Sequence, residues 1–322
     1  MSQGDRRRLT SLIDANAIDA GRIDRALAVI GIPPTGAEWV RFLDRCLLWL
    51  GVLALSVAAV FFIAYNWDGM GRTGRFALLE GGLVVVIATY WTQARKPRVA
   101  AALLAMACLL VGALLALFGQ TYQTGADPWQ LFALWAAVII PWVAVARNAG
   151  LWVFWVGLLN LSVGLYYESG GGWLFGDWGR IIAAQWAQFL LNVAVLVLWE
   201  GGLMVTRRGA RWPTRVVAVF AGVPATWLAV MGVLSLDQGW DGIVAWALWM
   251  TLCLVFYRWV RLDRFMLAGF CLSGIVVITT AFGRWVLQDT ASGGFLVLAL
   301  FVLIAGAGSA TWLKALNREA EA

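Results

Sequence analysis

Long runs of apolar residues, separated by short polar connectors, dominate the chain after its first 44 residues. A helix needs roughly 20 apolar residues, within about 17–25, to cross the hydrocarbon core of a bilayer. Ten runs approach or reach this length. They are Cys46–Tyr65, Phe76–Trp91, Val99–Phe118, Trp129–Ala146, Leu151–Tyr167, Ile181–Val205, Val216–Leu236, Gly242–Tyr257, Phe265–Leu287 and Gly294–Leu313. The pattern predicts an all-α, polytopic membrane protein with about ten transmembrane helices.

Residues 1–44 have a different pattern. Apolar residues recur three or four positions apart within residues 9–13 and again within 23–30, as in short amphipathic helices. We expect a cytoplasmic helical hairpin here, followed by a lead-in helix from Ala37 to Arg45. The predicted organisation is a cytoplasmic segment (1–44), four spans (45–150), six further spans (151–313) and a cytoplasmic tail (314–322).

Composition supports the membrane assignment and excludes several chemistries. The chain is 62% hydrophobic and 13% charged, whereas soluble domains are about half apolar and about a quarter charged. Histidine is absent, which excludes haem–histidine ligation and a Ser-His-Asp triad. Many of the 21 Trp residues fall near span ends, where indole suits the headgroup region. The four cysteines form no CxxC pair, so no disulfide framework or zinc site is predicted.

The basic residues indicate how the spans are oriented. Lys and Arg stay preferentially on the cytoplasmic side of membrane proteins. With the N-terminus inside and ten alternating spans, 20 of the 24 basic residues fall in inside segments. The other four, which fall outside, are Arg72, Arg75, Arg180 and Arg284. We therefore expect both termini in the cytoplasm.

Two carboxylates, Glu80 and Glu200, lie within predicted spans. Ionisable groups inside a bilayer are costly, by about 2.5–3.5 kcal/mol at its centre on insertion scales, and are therefore functional candidates. One interpretation is a carboxylate that binds a proton or cation. The other is a Glu that hydrogen-bonds across a helix contact or reaches the interface.

Span 6 carries a polar stripe formed by Gln185, Gln188, Asn192 and Glu200. At 3.6 residues per turn these side chains share about a third of the helix circumference. The stripe should face the bundle, either lining a hydrophilic cleft or forming interhelical hydrogen bonds. Asn160 in span 5 is a potential partner.

Two predicted outer loops are polar and lie beside aromatic residues. The first is Asn66, Trp67 and Asp68, and the second runs from Gly119 to Trp129. Such a surface suits a sugar or a lipid headgroup. In the alternative interpretation, the second loop is a capped turn in which Asp127 and Pro128 begin span 4.

The spacing of several aromatic and basic residues is compatible with an internal repeat. A shift of 111 residues aligns Trp67 with Trp178, Trp129 with Trp240, Trp135 with Trp246, and Arg147 with Arg258. It would make spans 1–4 and 5–8 parallel repeats, as occur in transporters. Alternating loops also impose similar Trp placement without any repeat.

The runs Ala64–Glu80 and Gly119–Trp142 resemble one family. It is the bacterial predicted-membrane-protein family numbered twenty-one fifty-seven among domains of unknown function. The resemblance covers roughly the first half of the chain and implies a multi-pass protein of the bacterial inner membrane, without an established activity. It also suggests a set of residues for testing: Asn66, Trp67, Glu80, Gln120, Tyr122 and Asp127.

Three functions are compatible with these features. The first is transporter or flippase-like handling of a small or amphiphilic solute. The second is a non-transporting scaffold or regulator that binds a membrane protein partner through the N-terminal hairpin. The third, an enzyme using Asp68, Asp127 and Asp177, lacks a recognised catalytic spacing. No cofactor, metal site or nucleic-acid partner is predicted, and the bilayer itself is the expected environment.

Overall fold

A computed structural model describes residues 12, 36–169, 176–202, 211–235, 239–289 and 294–319. This part of the chain has no strand and contains ten helices long and apolar enough to cross a membrane. Their bounds are α1 Gly36–Tyr65, α2 Arg72–Gln93, α3 Pro97–Tyr122, α4 Pro128–Ala146, α5 Ala149–Glu168, α6 Gly176–Glu200, α7 Trp212–Leu234, α8 Trp240–Val255, α9 Arg264–Asp289 and α10 Gly294–Glu319.

Each predicted span coincides with one helix, which confirms the all-α polytopic architecture. The expected lead-in helix and the first span form one continuous helix of 30 residues, α1. The predicted N-terminal hairpin lies outside the described residues. A π-helical turn, Phe256–Val260, extends α8 and lengthens the eighth predicted span.

Helices α3 and α7 are the most buried of the ten. Helix α3 contacts α1, α2 and α4, whereas α7 contacts α5, α6, α8 and α9. A shift of four helices therefore superimposes the neighbours of α3 on three neighbours of α7, as the 111-residue repeat predicts. One contact differs between the halves, because Trp135 donates its indole N–H to Cys108 O on α3, whereas Trp246 donates to Ser273 Oγ on α9.

Many of the Trp side chains near helix ends face outward. Six of them are exposed: Trp91, Trp178, Trp212, Trp240, Trp259 and Trp285. Indole rings at these positions suit the two membrane interfaces. The interior holds smaller side chains, such as Ala107 and Ala221, where the helices approach closely.

Candidate functional site

Five charged residues meet where α6 ends and α7 and α9 begin, and we call Glu200, Arg211, Arg215, Arg261 and Asp263 the ionic cluster. Arg261 Nη1 lies 2.5 Å from Glu200 Oε2. Arg211 Nε and Arg215 Nε lie 3.1 and 3.2 Å from the same oxygen, Asp263 Oδ2. The Asp263 carboxylate is fully buried, while the three guanidinium groups are partly exposed. The cluster has three cationic and two anionic groups, so its formal charge is positive.

The connection between α8 and α9 positions this cluster. The π-helical turn places Tyr257 so that its hydroxyl donates to Glu200 Oε1 at 3.2 Å. Asp263 then starts α9, and its Oδ1 accepts the Phe265 backbone N–H at 3.0 Å, as an N-cap side chain does. Asp263 is therefore both a helix cap and an ion-pair partner, and the sequence pattern did not single it out as a functional residue.

A cavity of about 430 Å³ lies between α7, α8 and α9, and we call it the α7–α9 cavity. This volume lies within the roughly 300–1,000 Å³ typical of small-ligand sites. Its walls are mainly apolar. They include Val223, Trp249, Met250, Phe265, Phe270 and Val276.

The hydroxyl groups in the cavity wall are already hydrogen-bonded. Trp246 Nε1–H donates to Ser273 Oγ at 2.8 Å, and the hydroxyls of Ser273 and Thr226 lie 2.6 Å apart. The Thr226 hydroxyl donates to Gly222 O at 2.6 Å, so Ser273 donates to Thr226. Each of these donors is used, and the wall therefore suits hydrocarbon better than a polar solute.

The α7–α9 cavity reaches the ionic cluster through two of its lining residues, Tyr257 and Phe265. Tyr257 contacts Glu200, as described above, and the Arg215 guanidinium carbon lies 5.5 Å from the centre of the Phe265 ring. Arg211 and Arg215 pair with Asp263 at this end of α7 and α9, while Arg284 Nη1 donates to Val233 O and Leu234 O at the other end. Helices α7 and α9 are thus joined by polar contacts at both ends, and the cavity lies between these two sets of contacts.

The predicted polar stripe on α6 is divided between two environments. Asn192 is completely buried and exchanges two hydrogen bonds with Asn160, at 2.6 and 3.0 Å. This confirms the expected partner and supports the interhelical interpretation. Gln185 and Gln188 are half-buried, and the Gln188 amide lies against Gly164 of α5. Glu200 belongs to the ionic cluster, so the structure does not bring the four residues together around one cleft.

Glu80 is far from this cluster in sequence and lies exposed on α2. Within the described part of the chain it has no hydrogen bond or ion pair. Its neighbour Leu79 is buried and packs with Leu110. Glu80 therefore points away from the contact between α2 and α3.

The loop between α1 and α2, the first of the two predicted outer loops, packs back onto the bundle. Asn66 Nδ2 donates to Phe62 O at 2.9 Å, which makes it a cap of α1. The Arg75 guanidinium stacks 3.6 Å from the centre of the Trp67 ring, and Arg75 also donates to Trp67 O. Asp68 is exposed. These contacts hold the loop in place and leave Asp68 at its surface.

The loop between α3 and α4, the second predicted outer loop, is shorter than expected. Helix α3 continues through Gly119 and Gln120 to Tyr122, so the expectation of a loop from Gly119 is wrong for these residues. Helical hydrogen bonding extends until Gln123 adopts a left-handed conformation, with φ of 44°. Gln120 is exposed, and the half-exposed Tyr122 ring lies 5.2 Å from the Arg72 guanidinium carbon. Asp127 occupies the N-cap position of α4, but its side chain makes no capping hydrogen bond.

The first half of the chain matches a known family. Residues 10–152 match the family model described as Predicted membrane protein (DUF2157). The match supports the resemblance drawn from the Asn66, Glu80 and Gln120 regions, and it ends before the α7–α9 cavity and the ionic cluster. No curated protein and no solved structure matches the chain.

Proposed function

We propose that this protein is a flippase-like carrier of an amphiphilic solute in the bacterial inner membrane, with both termini in the cytoplasm. The observation that carries the proposal is the α7–α9 cavity. The cavity is apolar and lies beside the charged ionic cluster. An amphiphile likewise has an apolar part and a polar or charged part. The positive-inside distribution of Lys and Arg supports the orientation, and the match to predicted membrane proteins supports the location.

A translocation assay in vesicles tests this function. The full chain is reconstituted, and the rate at which a fluorescent phospholipid analogue crosses the bilayer is compared with that in protein-free vesicles. We expect faster crossing with the wild-type chain. Gly222→Leu should slow it by about tenfold, because Gly222 lines the cavity and the added side chain occupies it.

A matched control uses the same substitution elsewhere. Gly308 lies exposed on α10, and a Cβ placed there meets nothing within 4 Å, so Gly308→Leu should leave the rate unchanged. Glu200→Gln tests the carboxylate that pairs with Arg261. If wild-type vesicles translocate none of a broad panel of phospholipid and amphiphile analogues faster than empty vesicles, the protein is not a carrier of this kind.

A scaffold role is the second candidate, and the exposure of Glu80 favours it. A carboxylate facing hydrocarbon costs about 2.5–3.5 kcal/mol near the bilayer centre, and a partner helix that donates hydrogen bonds would reduce this cost. Cross-linked membranes from cells expressing wild type, Glu80→Gln or a chain lacking residues 1–35 distinguish the contributions. Loss of a specific cross-linked partner in either variant, with normal membrane insertion, supports the scaffold role.

A further inference from the structure

We propose that the α7–α9 cavity holds one acyl chain of an anionic phospholipid from the cytoplasmic leaflet, with the lipid phosphate on Arg215. This proposal rests on the function proposed above for the same cavity and on its orientation. It names the class of amphiphile and the leaflet that supplies it. Three observations carry it: the length of the cavity, the chemistry of its wall and the unused donors at its mouth.

The length of the cavity matches one leaflet. Its lining residues extend on α9 from Phe265 to Val276 and on α7 from Ala218 to Val230. At 1.5 Å per residue these stretches measure roughly 16 and 18 Å. Half of a hydrocarbon core of about 30 Å is about 15 Å. An acyl chain that enters from the end near Phe265 would therefore fill the cavity. It would keep the orientation that acyl chains have in the leaflet, because the cavity runs along the helices.

Arg215 has free donors at the mouth of the cavity. Its Nε is the atom that binds Asp263, and its terminal nitrogens make no hydrogen bond to a described residue. Arg211 differs, because its terminal nitrogens donate to Leu262 O and Arg261 O. The Arg215 side chain is 38% exposed and lies over Phe265, which lines the cavity. A guanidinium group whose two terminal nitrogens bind no described residue matches the oxygens of a phosphate in a bidentate arrangement.

The charge around Arg215 favours an anionic lipid over a zwitterionic one. Asp263 is shared by two arginines, and Glu200 is paired with Arg261. Arg264, the first residue of α9 and the next residue after Asp263, adds a further positive charge. An anionic headgroup therefore meets a net positive surface, whereas the choline of a zwitterionic headgroup would meet like charge.

Lipid binding is measured separately from translocation. The purified full chain in detergent is titrated with dipalmitoyl phosphatidylglycerol, dipalmitoyl phosphatidylcholine or glycerol phosphate, and native mass spectrometry gives the apparent Kd of the first bound molecule. We expect phosphatidylglycerol to bind about tenfold more tightly than phosphatidylcholine, because both lipids carry the phosphate but only the choline brings a positive charge against the cluster. Glycerol phosphate, which has no acyl chain, should not bind detectably.

The variants separate the tail site from the headgroup site. Gly222→Leu should weaken both lipids by about tenfold, and Gly308→Leu should weaken neither. Arg215→Gln should weaken both lipids by about tenfold, because each carries a phosphate that Arg215 would bind, and it should reduce the preference for phosphatidylglycerol because it removes one positive charge from the cluster. If Arg215→Gln does not fold, Arg215→Lys keeps the charge beside Asp263 but loses the planar fork, and it should weaken both lipids while keeping the preference for phosphatidylglycerol.

Specific results overturn the proposal. They are equal affinity of the wild type for the two lipids, wild-type binding by Gly222→Leu, an unchanged affinity for phosphatidylglycerol in the Arg215 variant that folds, or binding of glycerol phosphate as tight as that of the lipid. Lipid binding with this preference but without translocation would retain the site and reject the carrier function. Translocation without this lipid preference would retain the carrier function and reject the proposed lipid site.

Discussion

Asp263 shows how one side chain can organise a helix junction. Its buried carboxylate pairs with two arginines of the α6–α7 region and caps the first turn of α9. Asp followed by an apolar run is a start signal for a helix, so the cap could have been predicted from the sequence. The two arginine partners, which lie about fifty residues earlier in the chain, could not.

Substitutions at Asp263 should separate these two roles. Asp263→Ala removes the cap and both ion pairs, and we expect it to lower the free energy of unfolding by about 2–4 kcal/mol. Asp263→Asn keeps an oxygen that can accept the Phe265 N–H, so its loss should be smaller by about 1 kcal/mol. Reversible unfolding in mixed micelles measures both values. Equal losses for the two variants would show that Asp263 does not stabilise α9 as a cap.

The Asn160–Asn192 pair illustrates a residue contact that the sequence did anticipate. A buried amide in a transmembrane helix needs a partner, and Asn160 was the polar residue near the middle of the adjacent span. The structure places the two amides within hydrogen-bonding distance in both directions. Because Asn192 is buried away from water, the two amides hydrogen-bond to each other, and this pair holds α5 against α6.

At the scale of helices, close approach between α7 and α8 depends on glycine. A Cβ on Gly232 would lie 2.3 Å from Gly239 O, and that oxygen belongs to the backbone, which cannot move aside as a flexible side chain can. Small residues commonly allow such approaches between membrane helices. The walls of the α7–α9 cavity depend on this contact, because α8 supplies one of its sides.

Gly232→Ala should therefore lower the thermal unfolding midpoint of the detergent-solubilised chain. Overpacking of this kind typically costs about 1–3 kcal/mol. Gly157 on α5 provides the control, because a Cβ there meets nothing within 4 Å. Gly157→Ala should be neutral or slightly stabilising, since alanine favours a helix over glycine by roughly 0.5–1 kcal/mol. A midpoint unchanged in Gly232→Ala would mean that the two helices are not in such close contact.

At the scale of the whole molecule, the bundle contains two central helices, α3 and α7, each packed against several others. Helix α3 is surrounded by α1, α2 and α4, and α7 is surrounded by α5, α6, α8 and α9. A shift of four helices relates the neighbours of α3 to three of the neighbours of α7, while among the described residues the packing of α7 against α9 has no equally extensive match at α3. The cavity and the ionic cluster arise at this additional contact, in the half of the chain beyond the family match.

Membrane orientation is the prediction that belongs to this scale. In a chain whose four cysteines are replaced by alanine, we introduce single cysteines at Asp68 and at Lys96, which lie in consecutive connectors. A membrane-impermeant maleimide should label Asp68→Cys in intact spheroplasts and Lys96→Cys only after permeabilisation. The reverse pattern would invert the topology and place the ionic cluster on the outer side.

The sequence by itself determined the class of protein, the number of helices and their approximate bounds. These properties follow from local quantities, since the length of an apolar run and the charge of a connector can be read without knowing any neighbour. Only the tertiary structure decided that Glu200 pairs with Arg261, that Asp263 joins two arginines, and that α7, α8 and α9 line a cavity. These features depend on which helices become neighbours and how they are rotated, and side chains fifty or more residues apart set those geometries together.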